Sequence, residues 1–194
     1  MSISRSVVFV HGIFHFINIY KKMAAFLRNH GFRTFTPSLS PSTGKIGLDK
    51  LALQLKTYID ENIPAEEKFY LVGFSMGGLI CRYYLQRLDG MKRVDRFISI
   101  STPHHGTKRA YLIANTGCKQ MRPGSDFLND LNSDVQKLEE VKVVSIWSPY
   151  DLTIRPASSS RLPIGEENTI PVLLHPLMVH DKRVFKAIEH FLGK

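Results

Sequence analysis

Cysteine is scarce in this chain: Cys81 and Cys118 are the two present in 194 residues. Two thiols at no zinc-like spacing exclude a disulfide-stapled scaffold and a zinc finger. Cys81 reads as a small buried residue on a helix and Cys118 as a loop thiol. No apolar run approaches the roughly 18 residues that span a bilayer. The opening stretch, Met1 to Arg5, is short and polar and lacks the apolar core of a secretory leader, so a cytoplasmic protein is expected. Acidic residues are outnumbered 26 to 17 by lysine and arginine, a formal charge of +9. Nucleic acid is nevertheless not an expected partner, because there is no RNP motif, finger spacing or basic helix. The densest cluster, Lys92-Arg93 with Arg96, is broken by Val94 and Asp95. A solvated surface is the plain reading of the charge, and weak attraction to anionic lipid is the alternative. With 43% hydrophobic and 22% charged residues, the chain should be globular, and its length fits one domain, 1–194.

What is present is an alternation of strands and helices. Ser6 to Val10 is an apolar, β-branched run of the kind that forms a buried strand. Ile17, Tyr20, Met23, Ala24 and Leu27 mark one face of a helix that Gly31 stops. Arg33 to Thr36 reads as a short strand, and 37–47, rich in Ser, Pro, Gly and Thr, as a loop. Leu48, Leu51, Leu55, Tyr58 and Ile59 mark a second helix. Phe69 to Val72 is a strand, Met76 to Leu88 a helix, Val94 to Ile100 and Val141 to Trp147 further strands, and Pro171 to Leu174 a last short one. Val184, Phe185, Ile188, Phe191 and Leu192 mark a closing helix ended by Gly193. Strands apolar on both faces argue for a mostly parallel sheet covered by helices on each side. Residues 101–140 interrupt the rhythm as an insertion with one helix, from Ser125 to about Leu138. They leave the carboxyl end of a strand, where open sheets bind ligands, and so can overhang a site.

The segment Gly73-Phe74-Ser75-Met76-Gly77 has the form G-x-S-x-G between an apolar strand and an amphipathic helix. A strand-to-helix turn this tight needs small flanking residues, and it thrusts the serine toward solvent at the positive end of the following helix. Ser75 is therefore the candidate nucleophile. A serine hydroxyl needs a base, and the base an orienting acid. On a scaffold of this kind the order along the chain is serine, acid, histidine. Asp151, four residues past the strand ending at Trp147, is preferred over Asp126, Asp130 and Asp134 in the insertion and over Asp95, which precedes its strand. His175 is preferred over His180, which abuts the closing helix, and over His104 and His105, which break the order. Pro176 holds the backbone of His175 extended. The oxyanion hole needs two N–H donors. These are assigned to Met76 and to Ile13 after the first strand, with Phe14 as fallback. Phe14, Phe16, Phe74, Met76, Met121, Leu177 and Met178 flank this site and would suit an apolar acyl chain.

Together these residues resemble the bacterial lipase and esterase branch of the α/β-hydrolase superfamily. V-F-V-H-G-I at 8–13 is similar to its oxyanion turn, G-F-S-M-G-G at 73–78 to its nucleophile elbow, and S-T-P-H-H-G at 101–106 to its S-T-P-H-x-G segment. R-P-G-S-D-F-L-N-D-L at 122–131 is similar to its cap region. S-P-Y-D-L-T-I-R-P at 148–156 and H-P-L at 175–177 are similar to its acid and histidine loops. The chain departs from the pattern where Phe14 and His15 replace two glycines of the oxyanion turn and where Leu174 precedes the histidine. The resemblance implies a minimal α/β-hydrolase fold of about six parallel strands. It also implies cleavage of small carboxylic esters with an apolar acyl group through an acyl-enzyme, a serine ester hydrolase needing no cofactor or metal. A thioesterase or amidase, or a non-catalytic lipid- or partner-binding protein on the same scaffold, are the other readings.

Overall fold

The computed structural model describes residues 6–14 and 17–193. Six strands, β1 (Ser6–Val10), β2 (Arg33–Phe35), β3 (Phe69–Phe74), β4 (Val94–Ile100), β5 (Lys142–Trp147) and β6 (Glu166–Thr169), form one sheet in the order β2-β1-β3-β4-β5-β6. Every neighbouring pair is parallel. The helices are α1 (Lys21–Asn29), α2 (Leu48–Asn62), α3 (Met76–Arg87), α4 (Thr116–Gln120), α5 (Asp126–Ser133) and α6 (Lys182–Gly193). A 3₁₀ turn, Ile17–Tyr20, leads into α1.

The period-two geometry of the strands divides the core. Val8 and Val10 of β1 pack with α2 and α3 on one face. Val7 and Phe9 pack with α1 and α6 on the other. This is the α/β-hydrolase architecture expected, with the expected number of strands.

Three local readings change. The last strand is Glu166–Thr169, wholly exposed and polar, and Pro171 to Leu174 is not a strand. β6 pairs along one side only, with β5, so it has no apolar face to advertise it, and its two glutamates suit a strand edge that must not recruit another chain. Cys118 is not a loop thiol: it lies in α4, buried in the core. The insertion holds α4, α5 and 3₁₀ turns at Lys108–Leu112 and Val135–Glu140 in place of a single helix.

The basic cluster is not a solvated face throughout. Arg96 is buried and donates to the Phe191 carbonyl at 2.7 Å. Arg93 is half-buried and donates to the Pro64 carbonyl at 2.7 Å. Among the described residues no helix is long and apolar enough to cross a membrane.

Candidate active site

The chain runs outward from β1 to β2 and then returns to place β3 on the other side of β1. That reversal opens a crevice at the carboxyl ends of β1 and β3, the position where open parallel sheets bind ligands. The turn after β1 carries Ile13, and the turn after β3 carries Ser75.

Ser75 occupies a backbone region that non-glycine residues avoid, φ 55° and ψ −124°. Such a conformation costs about 1–3 kcal/mol and persists only where its surroundings enforce it. The enforcement is visible. The Ser75 N–H is held by the Ile100 carbonyl at 2.8 Å, continuing the β3–β4 ladder past the strand end. A Cβ at Gly73 would come within 2.5 Å of the Gly78 Cα, so only glycine lets the strand and helix approach this closely. A Cβ at Gly77 would strike the carbonyl oxygens of Val10 and His11. The start of α3 therefore lies directly against the end of β1. Met76 is the first residue of α3, so its N–H has no partner within the helix and lies at the positive helix end.

On the β1 side, His11 donates from Nδ1 to the Gly12 carbonyl at 3.0 Å and accepts the Leu39 N–H on Nε2 at 3.2 Å. Burial pulls its pKa down, against the Gly12 hydrogen bond, so the ring is a neutral brace for the turn. Tyr20 donates to the Val10 carbonyl at 2.8 Å. Phe14 has φ 57° and gives its N–H to the Ser42 carbonyl at 2.8 Å. That bond removes Phe14 as a fallback oxyanion donor, while no such bond is found for Ile13 among the described residues.

Asp151 and His175 come together across 24 positions of sequence. Nδ1 of His175 lies 2.6 Å from Oδ2 of Asp151, and both side chains are buried. The other carboxylate oxygen accepts the N–H groups of Thr153 at 2.8 Å and Ile154 at 3.0 Å. Burial pushes the Asp151 carboxyl up, but His175 and these two donors outweigh it and hold it below the ordinary carboxylate range. The His175 ring lies 4.7 Å, centroid to centroid, from Phe74, the residue before Ser75. Its Nε2 is buried without a hydrogen bond to any described residue. His175 begins a 3₁₀ turn that runs to Val179.

The other histidines and acids are engaged elsewhere or lie apart. His104 is fully buried with Nε2 3.0 Å from the Ser99 hydroxyl, and burial, then the charge of Arg82, drives its pKa well down. His105 and His180 are exposed. Asp130 and Asp134 pair with Arg87 on α3. Of the apolar residues expected to bind substrate, Met76, Met121 and Met178 are buried in the core, and Phe74 is buried beneath the imidazole. Phe14 and Leu177 are exposed. Phe16 lies outside the described residues.

Sequence reasoning missed two residues that build this arrangement. The Ser148 hydroxyl ties the acid loop to the histidine loop through both polar groups of Val172. Arg82, fully buried on α3, donates to the Leu131 carbonyl at 2.5 Å and to Asn132 at 2.9 Å, fastening the insertion to the helix that follows Ser75. The S/T-rich composition and the helical spacing carried no signal for either. Among the described residues no three His, Cys, Asp or Glu side chains gather as a metal site requires.

Comparison with known proteins bears on the fold and the family. The mature form of the Bacillus licheniformis lipase BlEst2 superposes with a TM-score of 0.80 at 17% identity, covering 99% of this chain and 93% of that one. At that identity the likeness speaks for the fold alone. The lysosomal thioesterase PPT2 of Mus musculus is 29% identical over 106 residues, 53% of this chain and 35% of its own length. Methylesterase 10 of Arabidopsis thaliana is 33% identical over 116 residues, 55% of this chain and 41% of its own. This chain thus spans well under half the length of these relatives. The model of the palmitoyl protein thioesterase family matches residues 6–137, which include Ile13, Ser75 and Met76 and end before Asp151 and His175. With more than half of its residues matched, the chain belongs to the palmitoyl protein thioesterase family.

Proposed function

We propose that this chain is a serine hydrolase that cleaves acyl esters with an apolar acyl group through an acyl-enzyme on Ser75. The observation that carries the reading is the buried His175–Asp151 pair at 2.6 Å, its imidazole packed against the residue that precedes a strained Ser75. His175 holds its Nδ1 proton against Asp151, so its Nε2 is left as the basic nitrogen. The Nε2-to-hydroxyl bond is not closed in this structure. Such bonds are often long without substrate and tighten in the complex.

His175 accepts the Ser75 proton as Oγ attacks the carbonyl carbon. The resulting oxyanion rests on the N–H groups of Ile13 and Met76. Loss of one such donor typically costs about 3 kcal/mol in the transition state. His175 then protonates the leaving oxygen or sulfur. Water, deprotonated by the same nitrogen, releases the acid and restores Ser75. Asp151 balances the imidazolium charge at each stage.

A thioester in place of the oxygen ester is the second reading, and the family match favours it. Two measurements test these statements. A fluorophosphonate probe is expected to label the wild type on Ser75 and to leave Ser75→Ala unlabelled; labelling elsewhere, or none, overturns the nucleophile. Hydrolysis of a nitrophenyl ester and an acyl thioester sharing one acyl chain, followed from acetyl to palmitoyl, then ranks the two leaving groups and the chain length.

A further inference from the structure

Among the described residues nine large hydrophobic side chains are exposed, and eight of them stand on loops leaving the carboxyl ends of strands. The ninth, Leu53, is on α2. Three leucines, Leu173, Leu174 and Leu177, follow β6. Tyr150 and Leu152 flank Asp151, Tyr111 and Leu112 lie in the first turn of the insertion, and Phe14 follows β1. A monomer in water does not ordinarily gather its exposed apolar side chains on one face.

These loops are joined into an arc rather than hanging free. Thr107 donates to the Thr153 carbonyl at 2.8 Å, and the Lys108 N–H to the Arg155 carbonyl at 2.9 Å. Arg109 donates to the Leu152 carbonyl at 3.2 Å. On the other flank Asn115 donates to the Thr43 carbonyl at 3.2 Å, next to the Ser42 carbonyl that holds Phe14. The apolar side chains are thus presented on a braced rim around Ser75.

The charge of this rim is of one sign. The segments 11–14, 36–47, 101–125, 148–156 and 170–180 hold one of the 17 acidic residues of the chain, Asp151, and that carboxylate is buried against His175. The same segments carry Lys45, Lys108, Arg109, Lys119, Arg122 and Arg155. Arg122 stacks on Tyr111 at 4.8 Å, and the other five are exposed. At the margins, Asp181 is ion-paired with Arg183, Asp49 accepts from Gln120, and Asp126 lies exposed in the first turn of α5.

We infer that the rim around Ser75 docks on an anionic lipid surface, its leucines and aromatic rings entering the headgroup boundary and its lysines and arginines facing lipid phosphates. Apolar side chains in the interface and cations against the surface potential are the two terms that hold a protein there. The inference concerns the face and not the reaction, so binding is read without turnover.

The test is co-sedimentation of the full chain with vesicles of phosphatidylcholine alone and of an equal mixture of phosphatidylcholine and phosphatidylglycerol. Binding to the mixed vesicles is expected, with loss at high salt. Lys108→Gln is expected to lower the partition coefficient about fivefold, the effect of one cation at such a surface. Leu112→Ser is expected to lower it about tenfold or more, from the lost apolar burial. Leu53→Ser, on α2, is expected to change neither. Hydrolysis of a soluble short-chain ester should be the same in all three variants. No binding, equal binding to the two vesicles, or equal losses from Leu53→Ser would overturn the inference. So would a dimer in lipid-free solution that Leu112→Ser dissolves, which would assign the face to a second copy of the chain.

Discussion

Ser148 and Val172 are joined twice: the Ser148 hydroxyl donates to the Val172 carbonyl at 2.7 Å and accepts the Val172 N–H at 3.1 Å. The same oxygen accepts the Tyr150 N–H at 3.2 Å. One buried hydroxyl therefore sets the distance between the turn that carries Asp151 and the segment that leads into His175. Ser148→Ala is expected to leave two backbone groups of Val172 unpaired, at about 1–3 kcal/mol of stability. It should lower kcat about tenfold while KM changes little, because the proposed acid and base shift and the acyl-binding surface does not. Unchanged kcat in a destabilised protein would reduce Ser148 to a purely structural tie.

Asp151→Asn tests the carboxylate itself. The amide fills the same space, and its oxygen can still accept the Thr153 and Ile154 N–H groups. It offers His175 no compensating charge and can invert the tautomer by donating to Nδ1. The expected result is a native-like thermal melt with kcat reduced roughly 10³- to 10⁴-fold. Retention of most of the activity would move the orienting role to another acid. Among the described residues the acids on α3-facing positions, Asp130 and Asp134, are taken up by Arg87.

How much of this was legible depends on how local the determinant is. The elbow could be read from Gly73, Ser75 and Gly77 because the requirement is steric and falls within a few residues. Chain order pointed to Asp151 and His175 as candidates, each following a strand or turn, and the structure sets them 2.6 Å apart. β6 could not be read, since an exposed edge strand of sequence Glu-Glu-Asn-Thr has no apolar period. Val172 and its leucine neighbours, apolar for other reasons, attracted the assignment instead. The Phe14 N–H is taken by a carbonyl 28 positions away and Arg82 by one 49 positions away. Neither pairing leaves any trace in local composition.

Gly77→Ala is a steric prediction. The added methyl would meet the Val10 and His11 carbonyl oxygens, which are backbone atoms of a buried strand end and turn and cannot rotate aside. Either α3 moves away from β1 or the turn bearing Ile13 shifts. Overpacking of this kind costs about 1–3 kcal/mol. The expected outcome is a lower Tm together with a fall in kcat in the protein that remains folded, since the proposed oxyanion donors sit on opposite sides of this contact. A variant with wild-type Tm and activity would mean that the two elements are less closely packed than the structure has them.

Acid stability is expected to respond to Asp134. Arg87 holds its carboxylate at 2.8 Å and Lys137 at 2.9 Å. Burial pushes its pKa up, but the hydrogen bonds from Arg87, Lys137 and Gln86 prevail and bring it from 3.8 to about 2. A folded-state pKa below the unfolded one means that the native state holds the proton more weakly. The pairing therefore stabilises the fold fully above about pH 4, and this stability drains away as pH falls toward 2. The pair is partly buried, with side-chain exposures of 22% for Arg87 and 20% for Asp134, and solvent screening keeps the contribution to the order of 1 kcal/mol. Urea melts of the wild type and Asp134→Asn should differ near neutral pH and converge at the acid end. A constant difference across that range would show that the Asn variant loses packing rather than a charge pair.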